Sequence, residues 1–177
     1  MSKALFLDRD GTLVVDKEYL SDPTKIELLP GVGEALRRAL SCGYLLFLLT
    51  NQSGIGRGWY SLDDVHACNG RMLELLDLPE PGFTEICIAP EKPDDPPKYR
   101  KPSPRFILEM VEKYQLNSTQ CTMIGDHLID MESGRNAGIH VAALKTGRSE
   151  TAEQLLKGIP DEVPVYENLR EFTATLT

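Results

Sequence analysis

Short, uninterrupted apolar runs that end in polar clusters recur along this chain, and they constrain its fold more than any other feature. Ala4 to Leu7 and Tyr44 to Leu49 are continuous runs, and Ile86 to Ala89, Cys121 to Ile124 and Val141 to Leu144 are similar. A strand with one wet face alternates apolar with polar residues, so unbroken runs predict strands buried on both faces, as in a parallel sheet. The segments between them carry helix signals. Pro30-Gly31 opens a segment with Val32, Leu36, Ala39 and Leu40 on one face, closed by Gly43, and Ser61 followed by Asp64 is a capping pattern leading into Val65 to Leu76. Pro104 starts a helix through Phe106, Ile107, Met110 and Val111. A further helix runs through Met131 to Ala137, and Thr151 starts another containing Ala152, Leu155 and Leu156. After Pro164 come a short strand, Val165-Tyr166, and a final helix. The expected fold is α/β, a doubly wound, mostly parallel sheet flanked by helices, with no internal repeat.

At 177 residues the expectation is a single domain over 1–177. Its 41% apolar and 26% charged residues are enough to build a core without disulfide or metal staples. No apolar stretch approaches the ~20 residues that span a bilayer. Lys3, Asp8, Arg9 and Asp10 stand where a signal peptide would need apolar residues, so neither leader nor membrane anchor is expected. A net charge of −8 opposes a broad nucleic-acid or membrane surface, and any anionic ligand must be held by a local site. Cys42, Cys68, Cys87 and Cys121 are scattered without a C-x-x-C pair. They read as reduced structural thiols in a cytoplasmic protein.

Ligands of such sheets bind beyond the carboxyl ends of the strands, where this chain has its polar clusters. Asp8-Arg9-Asp10-Gly11-Thr12 follows the first run and places two carboxylates two residues apart, on one side of an extended chain. One carboxylate can accept a phosphoryl group while the other handles protons, since close carboxylates favour opposite protonation states; the alternative is an acidic turn. Thr50 to Gly58 offers hydroxyl, amide and backbone N–H groups suited to phosphoryl oxygens, although Gly, Asn and Ser also make plain turns. Arg57 can fork onto a second anion or sit solvated. Lys98 to Ser103 is the one dense basic stretch, where a lysine can neutralise a transferring phosphoryl group. In Gly125-Asp126-His127-Leu128-Ile129-Asp130, Asp126 can complete an all-oxygen Mg²⁺ site, and Asp130, one helical turn on, points to the same end or caps the helix.

The ordered series D-x-D-G-T, T-N, K-P and G-D-x-x-x-D resembles the haloacid dehalogenase superfamily of phosphatases, from Asp8 to about Gly147. The resemblance implies a role for each matching residue. Asp8 would be the nucleophile and Asp10 the acid and then the base. Thr50 and Asn51 would hold phosphoryl oxygens and Lys101 would neutralise charge. Mg²⁺ would be held by the Asp8 carboxylate, the Asp10 carbonyl and the Asp126 carboxylate, with Asp130 orienting the lysine or a water. Helices and strands consume both the Asp8–Thr50 and Thr50–Lys101 intervals, so no cap domain fits. Selectivity is then expected from the loops Val15 to Leu29, Ser53 to Tyr60 and Ala89 to Arg100.

Fuller matches, D-R-D-G-T-L, T-N-Q-S-G-I-x-R-G, R-K-P and G-D-x-x-x-D-M, are similar to the subfamily of heptose bisphosphate 7-phosphatases and histidinol-phosphatases. That resemblance assigns Ser53, Arg57, Arg100 and Lys101 to the substrate, with Arg57 and Arg100 suited to an uncleaved second phosphate. The implied substrate is a small sugar bisphosphate, specifically the 7-phosphate of D-glycero-D-manno-heptose 1,7-bisphosphate, handled by a monomer. The alternatives are histidinol phosphate and, against the acidic charge, 3′-phosphate ends of nucleic acid. A non-catalytic phosphosugar-binding module is disfavoured by Asp8 and Asp10 together. Many members carry a Cys-x-His and Cys-x-Cys zinc loop, of which only Cys87 remains here, opposite Ala89, Pro97 and Tyr99. No structural Zn²⁺ is therefore expected, and prolines are expected to stiffen the loop instead. His127 either reaches substrate or fills the first helical turn, the second being favoured. Trp59-Tyr60 packs on a substrate ring or anchors its loop.

Overall fold

The computed structural model describes residues 2–147 and 162–177. Its strands are Ser2–Leu7 (β1), Tyr44–Asn51 (β2), Phe83–Ala89 (β3), Leu116–Gly125 (β4), His140–Leu144 (β5) and Val165–Tyr166 (β6). They form one six-stranded sheet in the order β3-β2-β1-β4-β5-β6, parallel throughout. The helices are Val32–Ser41 (α1), Ser53–Gly56 (α2), Leu62–Leu76 (α3), Arg105–Lys113 (α4), Leu128–Asn136 (α5) and Leu169–Ala174 (α6).

Strand alternation explains the two-sided core. Along β1, Leu5 and Leu7 face a cluster with Leu36 and Ala39 of α1, Met72 of α3 and Phe172 of α6, all buried. Ala4 and Phe6 face the opposite cluster, with Phe47, Leu49, Met123 and, from α4, Phe106, Ile107 and Met110. Both faces of the central strands are therefore dry, and the sequence shows unbroken apolar runs where a one-sided sheet would alternate. The expected helix signals act locally as well. Ser61 and Asp64 form a reciprocal capping box at the start of α3, and Gly31 takes φ 77 as the N-cap of α1.

Strand order fixes where a ligand can go. The chain runs outward from β1 through β2 to β3, then returns across the sheet to place β4 on the other side of β1. The loops leaving β1 and β4 thus diverge, and a crevice opens between their carboxyl ends. Leu7 pairs with Ile124, so Asp8 and Asp126 emerge together into that crevice.

The structure extends several expected elements and adds one. β4 begins at Leu116 because Asn117 to Gln120 form its wet end, which hides the strand from an apolar-run criterion. Residues 53–56, read as part of a Gly-rich loop, form a single helical turn. The described residues between Asp8 and Lys101 contain no cap domain, only a 3-10 turn, α1, α2, α3 and two strands. The expected helix from Thr151 lies outside the described residues. Among the described residues, no helix is long and apolar enough to cross a membrane.

Phe47 stacks on Phe6 with centroids 4.9 Å apart and meets Phe106 and Tyr114 edge-on. Phe47→Ala should lower unfolding free energy by about 3–5 kcal/mol, measured by urea denaturation; a loss below about 1 kcal/mol would show that this face collapses around the void.

Candidate active site

At the carboxyl end of the sheet, Lys101 is buried to 3% exposure and bridges two carboxylates. Its Nζ lies 2.6 Å from Asp8 Oδ1 and 2.6 Å from Asp130 Oδ1. Lys101 is aimed by Asn51 at the end of β2, whose Oδ1 accepts the Lys101 N–H at 3.0 Å and whose Nδ2 donates to the Lys101 carbonyl at 3.2 Å. Asp130 is aimed by its own helix: its Oδ2 accepts the His127 N–H at 3.0 Å in a capping box. The two readings of Asp130, helix cap and lysine partner, are both realised, one oxygen for each. Asn51 likewise acts on Lys101 through both ends of its amide.

Asp126 completes the cluster. Asp8, Asp126 and Asp130 each offer a carboxylate oxygen, all within 4.8 Å of one another. Three carboxylates confront one ammonium in a buried space, a net negative excess that costs free energy unless protons or a cation balance it. Burial first, then the charges of Asp8 and Asp130, push the Asp126 pKa up to about 8. Burial also raises Asp8, against the pull of Lys101. For Lys101, burial works against the charge but Asp130 and Asp8 outweigh it, so its pKa rises. An all-oxygen set with excess negative charge fits a hard divalent cation, and it is the metal-competent grouping found among the described residues. Gly11 is required beside it: its φ is 79, and a Cβ there would collide with the Asp126 carboxylate.

Asp10 stands apart from this cluster in a second network. Arg9, fully buried, donates from Nε to Asp10 Oδ2 at 3.1 Å and from a terminal nitrogen to Oδ1 at 3.2 Å. The same guanidinium is anchored to Asn69 Oδ1 of α3 at 2.9 Å. From the other side Gln52 Nε2 donates to Asp10 Oδ2 at 3.1 Å and to Thr50 Oγ1 at 2.8 Å, while its Oε1 accepts the Tyr60 hydroxyl at 2.9 Å. Burial raises the Asp10 pKa despite the opposing Arg9 charge.

Both networks line one cavity of about 340 Å³, walled by Asp8, Asp10, Asn51, Ser53, Lys101 and Asp126, with Tyr19 and His127 at its edge. The sequence-expected residues Asp8, Asp10, Asn51, Ser53, Lys101, Asp126 and Asp130 meet there, and Thr50 joins through Gln52. Arg57 and Arg100 lie outside the cavity wall. Arg57 sits over the Trp59 ring, 5.0 Å from its centroid, and Arg100 donates to the Glu91 carbonyl at 3.2 Å. Burial, with the Arg57 charge, draws Arg100 below its ordinary pKa against the pull of Glu91. Trp59 meets Tyr19 edge-on at 4.4 Å, spanning two of the expected selectivity loops. His127 fills the helical N-cap and also borders the cavity.

Several functional contacts escape a reading of the sequence. Arg9 and Gln52 stand in the fuller motif matches, Gln52 among the amides offered to phosphoryl oxygens, Tyr60 as a ring for substrate or a loop anchor, and Asn69 in a helix; their convergence around Asp10 emerges only in the fold. The glycines near Gln52 also have packing roles in this loop. The N–H groups of Gln52, Ile55, Gly56, Arg57, Gly58 and Trp59 all donate to backbone carbonyls. Gly54 instead makes room, because a Cβ there would collide with the Tyr60 ring. The proline-rich loop after β3 is organised by carboxylates: Glu91 Oε1 accepts the N–H groups of Lys98 at 2.9 Å and Tyr99 at 2.7 Å, and Asp95 accepts that of Lys92 at 2.8 Å. Cys87, the residue left of the expected zinc pattern, is a buried thiol whose pKa burial pushes up to about 12.

This geometry has close counterparts. The HAD-hydrolase-like family model matches residues 98–172. A D-glycero-beta-D-manno-heptose-1,7-bisphosphate 7-phosphatase of Helicobacter pylori is 41% identical over 140 residues, covering 78% of this chain and 80% of that protein. A protein of the same name from Haemophilus influenzae is 34% identical over 170 residues, covering 92% and 91%. Among solved structures, D,D-heptose 1,7-bisphosphate phosphatase from B. bronchiseptica, complexed with magnesium and phosphate, superposes with TM-score 0.87 at 28% identity, covering 98% of this chain and 97% of that one. Relatives this similar span most of the chain, and the chain therefore belongs to the haloacid dehalogenase-like phosphatases, in the family that includes the heptose 1,7-bisphosphate 7-phosphatases.

Proposed function

We propose that this phosphatase removes the 7-phosphate of D-glycero-D-manno-heptose 1,7-bisphosphate with Mg²⁺, through a phosphoryl group carried transiently on Asp8. The observation that carries the reading is the cluster at the switch point, where Asp8 faces Lys101 at 2.6 Å beside Asp126 and Asp130. The names of its relatives support the substrate.

In this mechanism the Asp8 carboxylate attacks phosphorus, and the bond to the sugar oxygen breaks as that oxygen takes a proton from Asp10. Lys101 balances charge on the phosphoryl oxygens, and the Thr50 hydroxyl, with Ser53 beside it, orients them. A water then attacks the phosphorus on Asp8, giving up its proton to Asp10, as the P–O bond to Asp8 breaks and releases inorganic phosphate and the free Asp8 carboxylate. Asp8, Asp126 and the Asp10 carbonyl would hold Mg²⁺, which supplies charge that lets an anionic nucleophile approach an anionic ester. Asp130 keeps Lys101 aimed throughout. Arg57 and Arg100 lie outside the cavity wall, but the charge of one acts on the other, and both suit the phosphate that is retained.

The test is phosphate release from the α and β anomers of heptose 1,7-bisphosphate and from histidinol phosphate, with Mg²⁺ and with EDTA. Mg²⁺-dependent release of one phosphate from a heptose anomer is expected; preference for histidinol phosphate would replace the substrate. Asp8→Asn should lower kcat by more than about 1,000-fold with its melting temperature within a few degrees of wild type, because the nucleophile is lost at constant volume. Arg57→Ala and Arg100→Ala should each lower kcat/KM for the bisphosphate by about 10–100-fold, the cost of one charge-assisted contact, with a much smaller loss on a monophosphate.

Metal and proton compete at Asp126. Its pKa of about 8 lies above its unfolded value, so the native state holds a proton that the unfolded chain has released. Stability in EDTA should therefore fall as pH rises toward about 8, and Mg²⁺ should raise the melting temperature more at about pH 8 than at about pH 6. Asp126→Asn should flatten both dependences in scanning calorimetry; an unchanged slope would remove Asp126 from the metal set.

A further inference from the structure

We infer that Gln52, locked by Tyr60, is the positioning residue that holds Asp10 where it can exchange a proton with the sugar oxygen. The inference rests on the proposed role of Asp10 as acid and base. Gln52 is buried to 3% exposure, and both ends of its amide are engaged. Nε2 has two hydrogens and two acceptors, Thr50 Oγ1 at 2.8 Å and Asp10 Oδ2 at 3.1 Å, and Oε1 takes the Tyr60 hydroxyl at 2.9 Å. While Asp10 is ionised it only accepts, and with the Tyr60 O–H donating to Oε1 the network sets Nε2 toward Asp10. Tyr60 reaches Gln52 because its ring lies on the α2 backbone at Gly54, where no side chain fits.

The arrangement divides the restraint of Asp10 between two unlike partners. Arg9 pulls the carboxylate toward α3, through a guanidinium tied to Asn69. A cation acting alone would both draw the group aside and favour its ionised form. Gln52 is neutral and ties the same carboxylate to Thr50, on the strand next to the one that carries Asp8. It therefore holds Asp10 over the phosphoryl site without adding a charge that would oppose its protonation. In the first step the P–O bond to Asp8 forms, the P–O bond to the leaving oxygen breaks, and the Asp10 proton passes to that oxygen. Loss of Gln52 should harm this transfer in proportion to how much the leaving oxygen needs the proton.

The experiment compares kcat/KM, which reports the steps up to leaving-group loss, on an alkyl phosphate and on p-nitrophenyl phosphate, whose phenolate departs unprotonated. Gln52→Leu should lose about 100-fold on the alkyl ester, within the range of acid catalysis, and less than about threefold on the aryl ester. Tyr60→Phe keeps the ring and should show the same selectivity with about a tenfold loss. Asp10→Asn is the reference. If Asp10→Asn is selective while both Gln52→Leu and Tyr60→Phe lose equally on the two esters, or lose nothing, the positioning role is overturned and the acid stands. If Asp10→Asn itself loses equally on both, the proposed role of Asp10 fails, and the inference fails with it.

Discussion

A single buried ammonium holds this site together. Lys101 pairs with Asp8 and Asp130 at once, and without it two carboxylates would face each other in a space that water scarcely reaches. Removing one partner of such a pair leaves an uncompensated buried charge, which typically costs about 3–5 kcal/mol. The elements around Lys101 act as its scaffold: β1 ends at Asp8, β2 contributes the Asn51 clamp, and α5 presents Asp130 from its first turn. One positive charge among three carboxylates still leaves the cluster rich in negative charge, and this imbalance makes it receptive to a divalent cation and, together with burial, holds the proton on Asp126.

The fold was legible because burial on both faces leaves an unmistakable mark. Runs such as Tyr44 to Leu49 cannot belong to a sheet with a wet side, and the capping pair Ser61 and Asp64 locates a helix to within a residue or two. Strand ends were harder to read. Asn117 to Gln120 form an irregular stretch of β4 between its pairings with Ser2 and Ala4, and meet solvent in part, so their side chains say nothing of strand. The short turn of α2 carries glycines that signal loop, although two of them are small for reasons of contact: Gly54 lies under Tyr60 and Gly56 donates to Pro90.

The candidate site was legible where chemistry is carried by residues in ordered motifs, and illegible where it depends on who touches whom. Asp8, Asp10, Lys101, Asp126 and Asp130 stand at strand ends that converge once the sheet order is known. Arg9 and Asn69 lie 60 residues apart and meet only through the packing of α3 on the sheet. Gln52 read as an amide for phosphoryl oxygens and Tyr60 as a ring for substrate or a loop anchor, while the hydrogen bond between them forms only in the fold. For the loop after β3, the density of proline suggested stiffness, while the folded loop is shaped by Glu91 accepting two backbone N–H groups, contacts no composition reveals.

The separation of the rim from the cluster has a consequence for how such a protein diversifies. Tyr19, Trp59, Arg57 and Arg100 belong to loops leaving three different strands, whereas the charge balance around Lys101 is closed among residues beneath them. Substitutions at these four residues change none of the ion pairs around Lys101, so the surface that greets a new molecule can drift while the chemistry under it stays under strong constraint. One scaffold of this kind can therefore spread over many small phosphorylated compounds by altering its edge, and the part freest to change is also the part that decides what it is for.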